Sequence, residues 1–495
     1  MKNNKRNQIR ILYDAFHRVG RKAFNHLDAS GSYVFGEKYN VFHWLGAIPI
    51  FLLFMLLFTG LYMFIYYSMS IESTYESVKY ITETAPGGLF IRSLHRYAAD
   101  GVMFFLILHL FRVFFEEKYQ NARWLAWVIG VFLLFLMLVE GVTGYMMAMD
   151  SKAQYVMEKT AEMLSGLKVF GDSLARSFAM QSLMSKWIMW VILVVHFAIP
   201  LLLLIFIYIH VKRVSRAKIL PPRAVMIAVA GVFAGISLVF PVKMTPGADY
   251  SMIPHLTEMD WFYLFAKPFM EGGNWALNIW IAVLVVTVIL YALPWLRKMP
   301  DIDVSEVDLD NCTGCGACAL DCPYEAIRMV SRTDNSDKYK SHALTDPKLC
   351  MGCSVCVGSC NFEAMHLTRL RLPVIQDEIE NALPMGKSGD KWVVIMCQRQ
   401  SDSFDRSKMS LSEEIDSVVT LSYPCVGIVG PRLVEKVLDR GVRGVIIASC
   451  PEGDCDYREG NVWLTKRFLG QRRPQFKKLD ETRPMAVFRY NPGEK

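Results

Sequence analysis

Residues Arg92–Val113 read RSLHRYAADGVMFFLILHLFRV and set His95 and His109 fourteen residues apart in a largely apolar stretch. At 3.6 residues per turn that interval makes nearly four turns, so both imidazoles face one side of a helix, about 21 Å apart along its axis. His196 and His210 repeat the interval farther along the chain. Ionisable side chains at membrane depth are costly and mostly functional, and neutral imidazole is a common axial ligand to iron. Two such helices face to face make two stacked bis-histidine sites, one per leaflet. A single histidine is explained as well by a polar contact with a neighbouring helix; four at matched spacing point to cofactors. Gly46 with Gly60 and Gly130 with Gly144 share the same interval. Without side chains they let a flat macrocycle approach the backbone, although close helix packing is the commoner use of glycine in membranes.

The chain has 495 residues, is 53% hydrophobic and carries a formal charge of +7. The apolar residues crowd in before Pro300, and all twelve cysteines lie between Cys312 and Cys455, which sets a boundary near Arg297 to Val304. Six stretches have the roughly 20 apolar residues that a spanning helix needs: about Phe42–Tyr67, Leu94–Phe115, Trp124–Met147, Trp187–His210, Ala224–Val242 and Trp275–Trp295. Basic residues cluster in the loops after the second and fourth (Arg112, Lys118, Arg123; Lys212, Arg213, Arg216, Lys218, Arg223), so both termini are expected on the cytoplasmic side. This distribution explains the net charge by topology and argues against nucleic acid as a partner. The basic start, Met1 to Arg10, lacks the apolar core of a secretory signal and is expected to be retained. Ile9, Leu12, Phe16, Val19, Ala23 and Leu27 recur at helical spacing among basic residues. They read as a helix lying in the lipid interface or packed on the cytoplasmic tail.

The membrane half resembles the cytochrome b of quinol-oxidising respiratory and photosynthetic complexes. The residues that carry this are Arg92-Ser93-Leu94-His95-Arg96, the run through His109-Leu110-Phe111-Arg112-Val113, and Gly141-Val142-Thr143-Gly144-Tyr145. The resemblance implies two b hemes, an outer one held by His95 and His196 and an inner one by His109 and His210, with Arg92 near a heme propionate. It also implies a homodimer through this half and a quinone, menaquinone or ubiquinone, as substrate. Where the family has Pro-Glu-Trp-Tyr at its outer quinol site, this chain has Met259-Asp260-Trp261-Phe262 and then Tyr263. Asp260 and Tyr263 are therefore the candidate outer quinone residues. At the inner side, where many relatives carry a second histidine, stands Ser215. His17, His26, His43, His255, His342 and His366 have no matched partners and read as structural or solvated, with proton transfer the alternative for His43 or His255.

Cys312, Cys315, Cys318 and Cys322 form C-x-x-C-x-x-C-x-x-x-C, followed by Pro323, and Cys350, Cys353, Cys356 and Cys360 repeat it. Cytoplasmic thiols stay reduced, so metal binding is the leading explanation. Gly314, Gly316 and Gly352 permit the unusual backbone angles of a tight loop around a cluster. The repeat resembles bacterial ferredoxins with two [4Fe–4S] clusters, in which each run lends its fourth cysteine to the other cluster. That implies Cys312, Cys315, Cys318 and Cys360 around one cluster and Cys350, Cys353, Cys356 and Cys322 around the second. Farther on, Lys391–Cys397, Val418–Cys425 and Val442–Cys450 each read as a buried strand ending in cysteine, with a helix over Pro431–Arg440. Cys450-Pro451-Glu452-Gly453-Asp454-Cys455 with Gly460-Asn461 resembles the delta subunit of methyl-viologen-reducing hydrogenase, which implies a [2Fe–2S] cluster on Cys397, Cys425, Cys450 and Cys455. Zinc is the alternative for each set, and for the last set so are unrelated buried thiols that pack as small hydrophobes. No C-x-x-C-H occurs, and Gly427 with Gly430 makes no dinucleotide fingerprint.

The expected organisation is multidomain: an amphipathic interfacial segment over 1–40, an all-α transmembrane bundle over 41–298, a ferredoxin-like α+β domain over 299–372, a linker over 373–390, and a small α/β iron–sulfur domain with a basic tail over 391–495. The expected function is a membrane subunit of a quinone-linked oxidoreductase. It would connect a cytoplasmic low-potential partner to the quinone pool, in the order [2Fe–2S], two [4Fe–4S], inner heme, outer heme. Flavin chemistry is expected in a partner of the heterodisulfide-reductase type, or in hydrogenase or dehydrogenase subunits. A quinol-bifurcating cytochrome b and a passive membrane anchor are the other readings.

Overall fold

In the computed structural model the described residues are 2–70, 73–167, 186–213, 218–249, 269–270, 275–296, 302–332, 339–386, 388–401, 418–451, 453–476 and 484–489. Asp260, Tyr263, His255 and Ser215 lie outside them.

The membrane half is built from α1 (Lys2–Phe35), α2 (Ile48–Tyr66), α3 (Thr74–Glu83), α4 (Gly88–Phe115), α5 (Trp124–Met146), α6 (Ser151–Gly166), α7 (Lys186–Arg213), α8 (Arg223–Val239) and α9 (Trp275–Leu296). Five of these, α2, α4, α5, α7 and α9, are long and apolar enough to cross a membrane, whereas α8, the sixth expected span, is an apolar helix of 17 residues, about 25 Å long. α2 packs on α4 and α5 on α7, with α8 against α4. The seam holds Ile48, Leu52, Ala98, Val102, Met103 and Leu203, all nearly inaccessible. Side chains such as Phe58, Leu61, Ile205 and Leu284 point outward, as lipid-facing residues do.

α1 turns one face inward. His17 lies 4.3 Å from the Tyr13 ring and 4.5 Å from Phe114, and Phe24 and Asp28 are buried beside it. Leu12, Phe16, Val19 and Leu27, from the stripe read in the sequence, remain exposed on another face. Of that stripe, Phe16 still touches α4, its ring centroid 5.3 Å from that of Phe115.

The cysteine half begins with two antiparallel hairpin-like pairs. β1 (Ser305–Val307) pairs β4 (Met365–Leu367), and β2 (Ile327–Ser331) pairs β3 (Ser341–Thr345), with short helices α10 (Ala317–Asp321) and α11 (Val355–Ser359) between. Gly316 starts α10 at φ 72°; the equivalent place in the second repeat is Ser354, which takes φ 63°. A left-handed angle costs a side-chain-bearing residue about 1–2 kcal/mol. The Ser354 hydroxyl donates to the Cys353 carbonyl at 2.5 Å, which offsets part of that cost.

A four-stranded parallel sheet follows, ordered β6–β5–β7–β8, from β5 (Trp392–Cys397), β6 (Val418–Tyr423), β7 (Gly444–Ser449) and β8 (Met485–Arg489). Helices α13 (Pro431–Leu438) and α14 (Gly460–Phe468) accompany it. Two expectations are corrected. The linker expected over 373–390 largely belongs to the domain: α12 (Leu372–Ala382) buries Ile375 and Ile379, with Leu383 after it, in the same core as the sheet. The fourth strand, β8, was not anticipated in the basic tail, although four of its five residues, Met485 to Phe488, are apolar.

Candidate redox centres

At one end of the bundle, His95 on α4 and His196 on α7 line one cavity of about 1380 Å³, together with Gly60, Gly144, Arg92, Arg96 and Glu140. Thr59 Oγ1 lies 2.8 Å from His95 Nδ1, and Thr143 Oγ1 lies 3.1 Å from His196 Nδ1. Each hydroxyl donates back to its own helix, Thr59 to Met55 O at 2.8 Å and Thr143 to Glu140 O at 2.9 Å. Each therefore accepts from Nδ1–H, which leaves Nε2 unprotonated and able to bind a metal. Arg92 donates to the Val242 carbonyl at 3.0 Å.

At the other end, His109 and His210 are electrostatic neighbours across the bundle. The four matched glycines each face one histidine: a methyl group at Gly46 would come within 2.9 Å of His109, at Gly60 within 3.3 Å of His95, at Gly130 within 3.3 Å of His210, and at Gly144 within 3.1 Å of His196. Each clears space for an imidazole, and through it for whatever the imidazole holds.

Two small cavities divide the first eight cysteines. One is lined by Cys312, Cys315, Cys318 and Cys360, the other by Cys322, Cys350, Cys353 and Cys356. Burial pushes the Cys318 thiol up to about 12 and drives Cys353 and Cys356 upward as well. Thiols so placed ionise only with a compensating cation, which suits iron. Cys397, Cys425, Cys450 and Cys455 form a third buried set, with Cys397 and Cys450 sulfurs 3.6 Å apart. Gly460 is dictated here, since a methyl group on it would sit 2.1 Å from Cys425 Sγ. Asn461 donates to the carbonyls of Cys450 and Pro451 at 3.0 and 2.8 Å, which pins the Cys450–Cys455 loop.

The sets are joined by buried polar bonds. Arg467 donates to Ser359 Oγ at 2.6 Å and to Gly427 O at 2.8 Å, bridging the ferredoxin-like and sheet domains. Asp454, beside Cys455, accepts from Arg112 at 2.6 Å and from Arg399 at 2.8 Å. Arg112 stands three residues after His109 on α4 and also donates to Asp28 at 2.9 Å and Glu116 at 3.1 Å. A second contact runs from Arg123 to Tyr324 Oη at 2.6 Å and to the Asp456 carbonyl at 2.7 Å. Burial opposes charge on Glu116 and Asp454, yet their arginines prevail: Arg112, Lys118 and Arg399 hold Glu116 at about 2, and Arg399 and Arg112 hold Asp454 below the usual carboxylate range. For Asp28 burial wins and raises it to about 7.

Three family models match the chain in order: Cytochrome b/b6/petB over residues 31–218, a 4Fe-4S dicluster domain over 311–364, and the methyl-viologen-reducing hydrogenase delta subunit over 393–474. Cytochrome b6 of Synechococcus sp. (strain JA-3-3Ab) is 30% identical over 196 residues, 39% of this chain and 91% of that protein. The chain belongs to the cytochrome b/b6 family. Cytochrome b6 of Prochlorococcus marinus (strain MIT 9303) is 29% identical over 185 residues, 34% of this chain and 84% of its own length. Among solved structures, a hyperthermophilic respiratory Complex III aligns with a TM-score of 0.43 and 18% identity over 52% of this chain and 75% of that one. A cytochrome b region implies heme b, and the dicluster domain implies iron–sulfur clusters; the nitrogen and sulfur donor sets described above fit both. The protein is accordingly a redox-complex subunit with a membrane electron-transfer role.

Two features of this cytochrome b were not singled out in the sequence. His43, read there as structural or solvated, lies in the Arg112 network, its Nε2 3.8 Å from Asp28. Glu140, whose Oε1 is 3.3 Å from His196 Nδ1, is the sole charged residue in Trp124–Met146, a signal visible in the sequence itself.

Proposed function

We propose that this protein carries electrons between a cytoplasmic low-potential partner and the membrane quinone pool. His95 with His196 and His109 with His210 would each hold a b heme, and the three four-cysteine sets would hold two [4Fe–4S] clusters and one [2Fe–2S] cluster. These groups supply one-electron carriage, and the protein's own task is to fix their order and surroundings. The partner that feeds them is a flavoprotein of the heterodisulfide-reductase type, or hydrogenase or dehydrogenase subunits, because this chain has no hydride-handling motif. Quinone would react at the outer side, with Asp260 and Tyr263 as its candidate residues.

The observation that carries this reading is the Asp454–Arg112 ion pair of 2.6 Å, which ties the residue beside Cys455 to the helix turn after His109. It favours an order different from the one expected from the sequence. The third cysteine set becomes the exit to the inner histidines. The exposed Cys315 marks the cytoplasmic entry, and the Cys322/Cys350/Cys353/Cys356 set lies between, joined through Ser354 to the Cys425 carbonyl at 3.5 Å.

A Cys455→Ser variant tests the order. Given a low-potential reductant, its ferredoxin-like clusters should still reduce, while b-type absorbance rises slowly or not at all. Heme reduction at the wild-type rate would instead send electrons from the ferredoxin-like domain directly across the Tyr324–Arg123 contact.

A further inference from the structure

Asp28 and His43 turn two bare acceptor atoms toward each other. His43 Nδ1 lies 3.1 Å from the Glu37 carbonyl and must donate to it, which leaves Nε2 unprotonated. Asn40 is oriented by the Phe42 N–H on its Oδ1 at 3.0 Å, so its amide nitrogen is the group 3.3 Å from that Nε2. Asp28 Oδ2 accepts from Arg112 at 2.9 Å, whereas Oδ1 is buried with no hydrogen-bond partner, 3.8 Å from His43 Nε2. A buried acceptor left unsatisfied is costly, and one proton on Oδ1 would serve both atoms. The surrounding charges leave room for it. Arg112, Lys118 and Arg399 meet Glu116, Asp454 and Asp456 within 4.0 Å, so ionised Asp28 is the surplus negative charge of this network. Burial, against the pull of Arg112, raises it to about 7. The third cysteine set borders the same network. Asp454 precedes Cys455, and the charge of Arg399 reaches Cys450. Arg399 also donates to Asn25 Oδ1 at 3.5 Å, three residues before Asp28, and a methyl group on Gly453 would lie 3.4 Å from His43 Cβ.

We propose that Asp28 is a proton-binding site linked to the third cysteine set, taking up one proton when the cluster there gains one electron. This rests on the reading of that set as a [2Fe–2S] cluster. The electron comes from the ferredoxin-like clusters, which are oxidised by the same one electron. The proton comes from solvent and bonds to Asp28 Oδ1, which then donates to His43 Nε2. The negative charge that arrives makes ionised Asp28 costlier, and by linkage a protonated Asp28 favours the electron. Passing the electron on to the His109 and His210 site reverses both steps and returns the proton.

The test is a redox titration of the purified full-length protein, read by electron paramagnetic resonance at a series of pH values. Between about pH 5 and 9 the [2Fe–2S] cluster should become at least tenfold harder to reduce, about 59 mV for a one-electron couple, with the fall beginning near pH 7. The sign follows from charge. Below that window Asp28 is neutral in both redox states, and above it the electron meets a carboxylate. Asp28→Asn should hold the acid value throughout. Reduced-minus-oxidised infrared spectra taken within the fall should show a protonated carboxyl gained in wild type and none gained in the variant. A pH-independent wild-type potential would overturn the proposal, as would the same fall in Asp28→Asn. Should that variant fail to assemble, the absence of a gained carboxyl in wild type decides against the proposal. A wild-type protein without a [2Fe–2S] signal would defeat the cluster reading instead, which keeps the two failures distinct.

Discussion

Asp454→Ala removes a carboxylate that bridges two buried guanidinium groups, Arg112 at 2.6 Å and Arg399 at 2.8 Å, with its own side chain only 1% exposed. Breaking a buried ion pair from one side costs about 3–5 kcal/mol, because the remaining charge stays buried. The lower end applies here, since Arg112 keeps Asp28 and Glu116, while Arg399 keeps Glu116 at 4.0 Å and Asp456 at 3.9 Å. A loss of about 3 kcal/mol shifts the balance between docked and undocked cysteine half by roughly a hundredfold, at 1.4 kcal/mol per factor of ten. Stopped-flow reduction by a low-potential donor, followed in the b-type absorbance, should slow by at least tenfold. Heme and iron content should equal wild type, because no ligand is touched. Added salt should change the wild-type rate little, as the network is closed to solvent. Wild-type heme reduction in Asp454→Ala, with full cofactor content, would refute the claim that this contact docks the electron exit.

A pyridine hemochrome assay should find two b hemes per chain, and His109→Leu should lose one of them together with heme reduction from the cysteine half; one heme in wild type contradicts the paired histidines. Asp28, raised by burial from 3.8 to about 7, binds its proton more tightly when folded, so its contribution to stability is complete below about pH 4 and is lost as pH rises through 7. Thermal melts of Asp28→Asn should show a shallower loss between about pH 4 and 7 than wild type, and an equal slope would remove Asp28 from the account. Gly460→Ala puts a methyl group 2.1 Å from Cys425 Sγ, so the [2Fe–2S] signal in electron paramagnetic resonance should be lost while the [4Fe–4S] signals persist; retention of all three would mean that the loop yields.

The parts legible in the sequence were those with a period. The fourteen-residue histidine and glycine intervals, and the cysteine spacing repeated from Cys312 to Cys360, follow from helix geometry and loop closure and needed no tertiary knowledge. Gly316 and Gly352 announced their left-handed angles, whereas Ser354 concealed the same angle because serine rarely adopts it. Arg112, Asp28, His43 and Asp454 were opaque for a different reason: Arg112 stands 84 residues from Asp28 and 342 from Asp454, and no local pattern encodes a meeting of such distant segments. Burial of α12 was hidden because only Ile375 and Ile379 face the core among polar neighbours. Glu140 was legible and passed over, a lone carboxylate in an apolar run whose meaning appears once His196 is seen beside it.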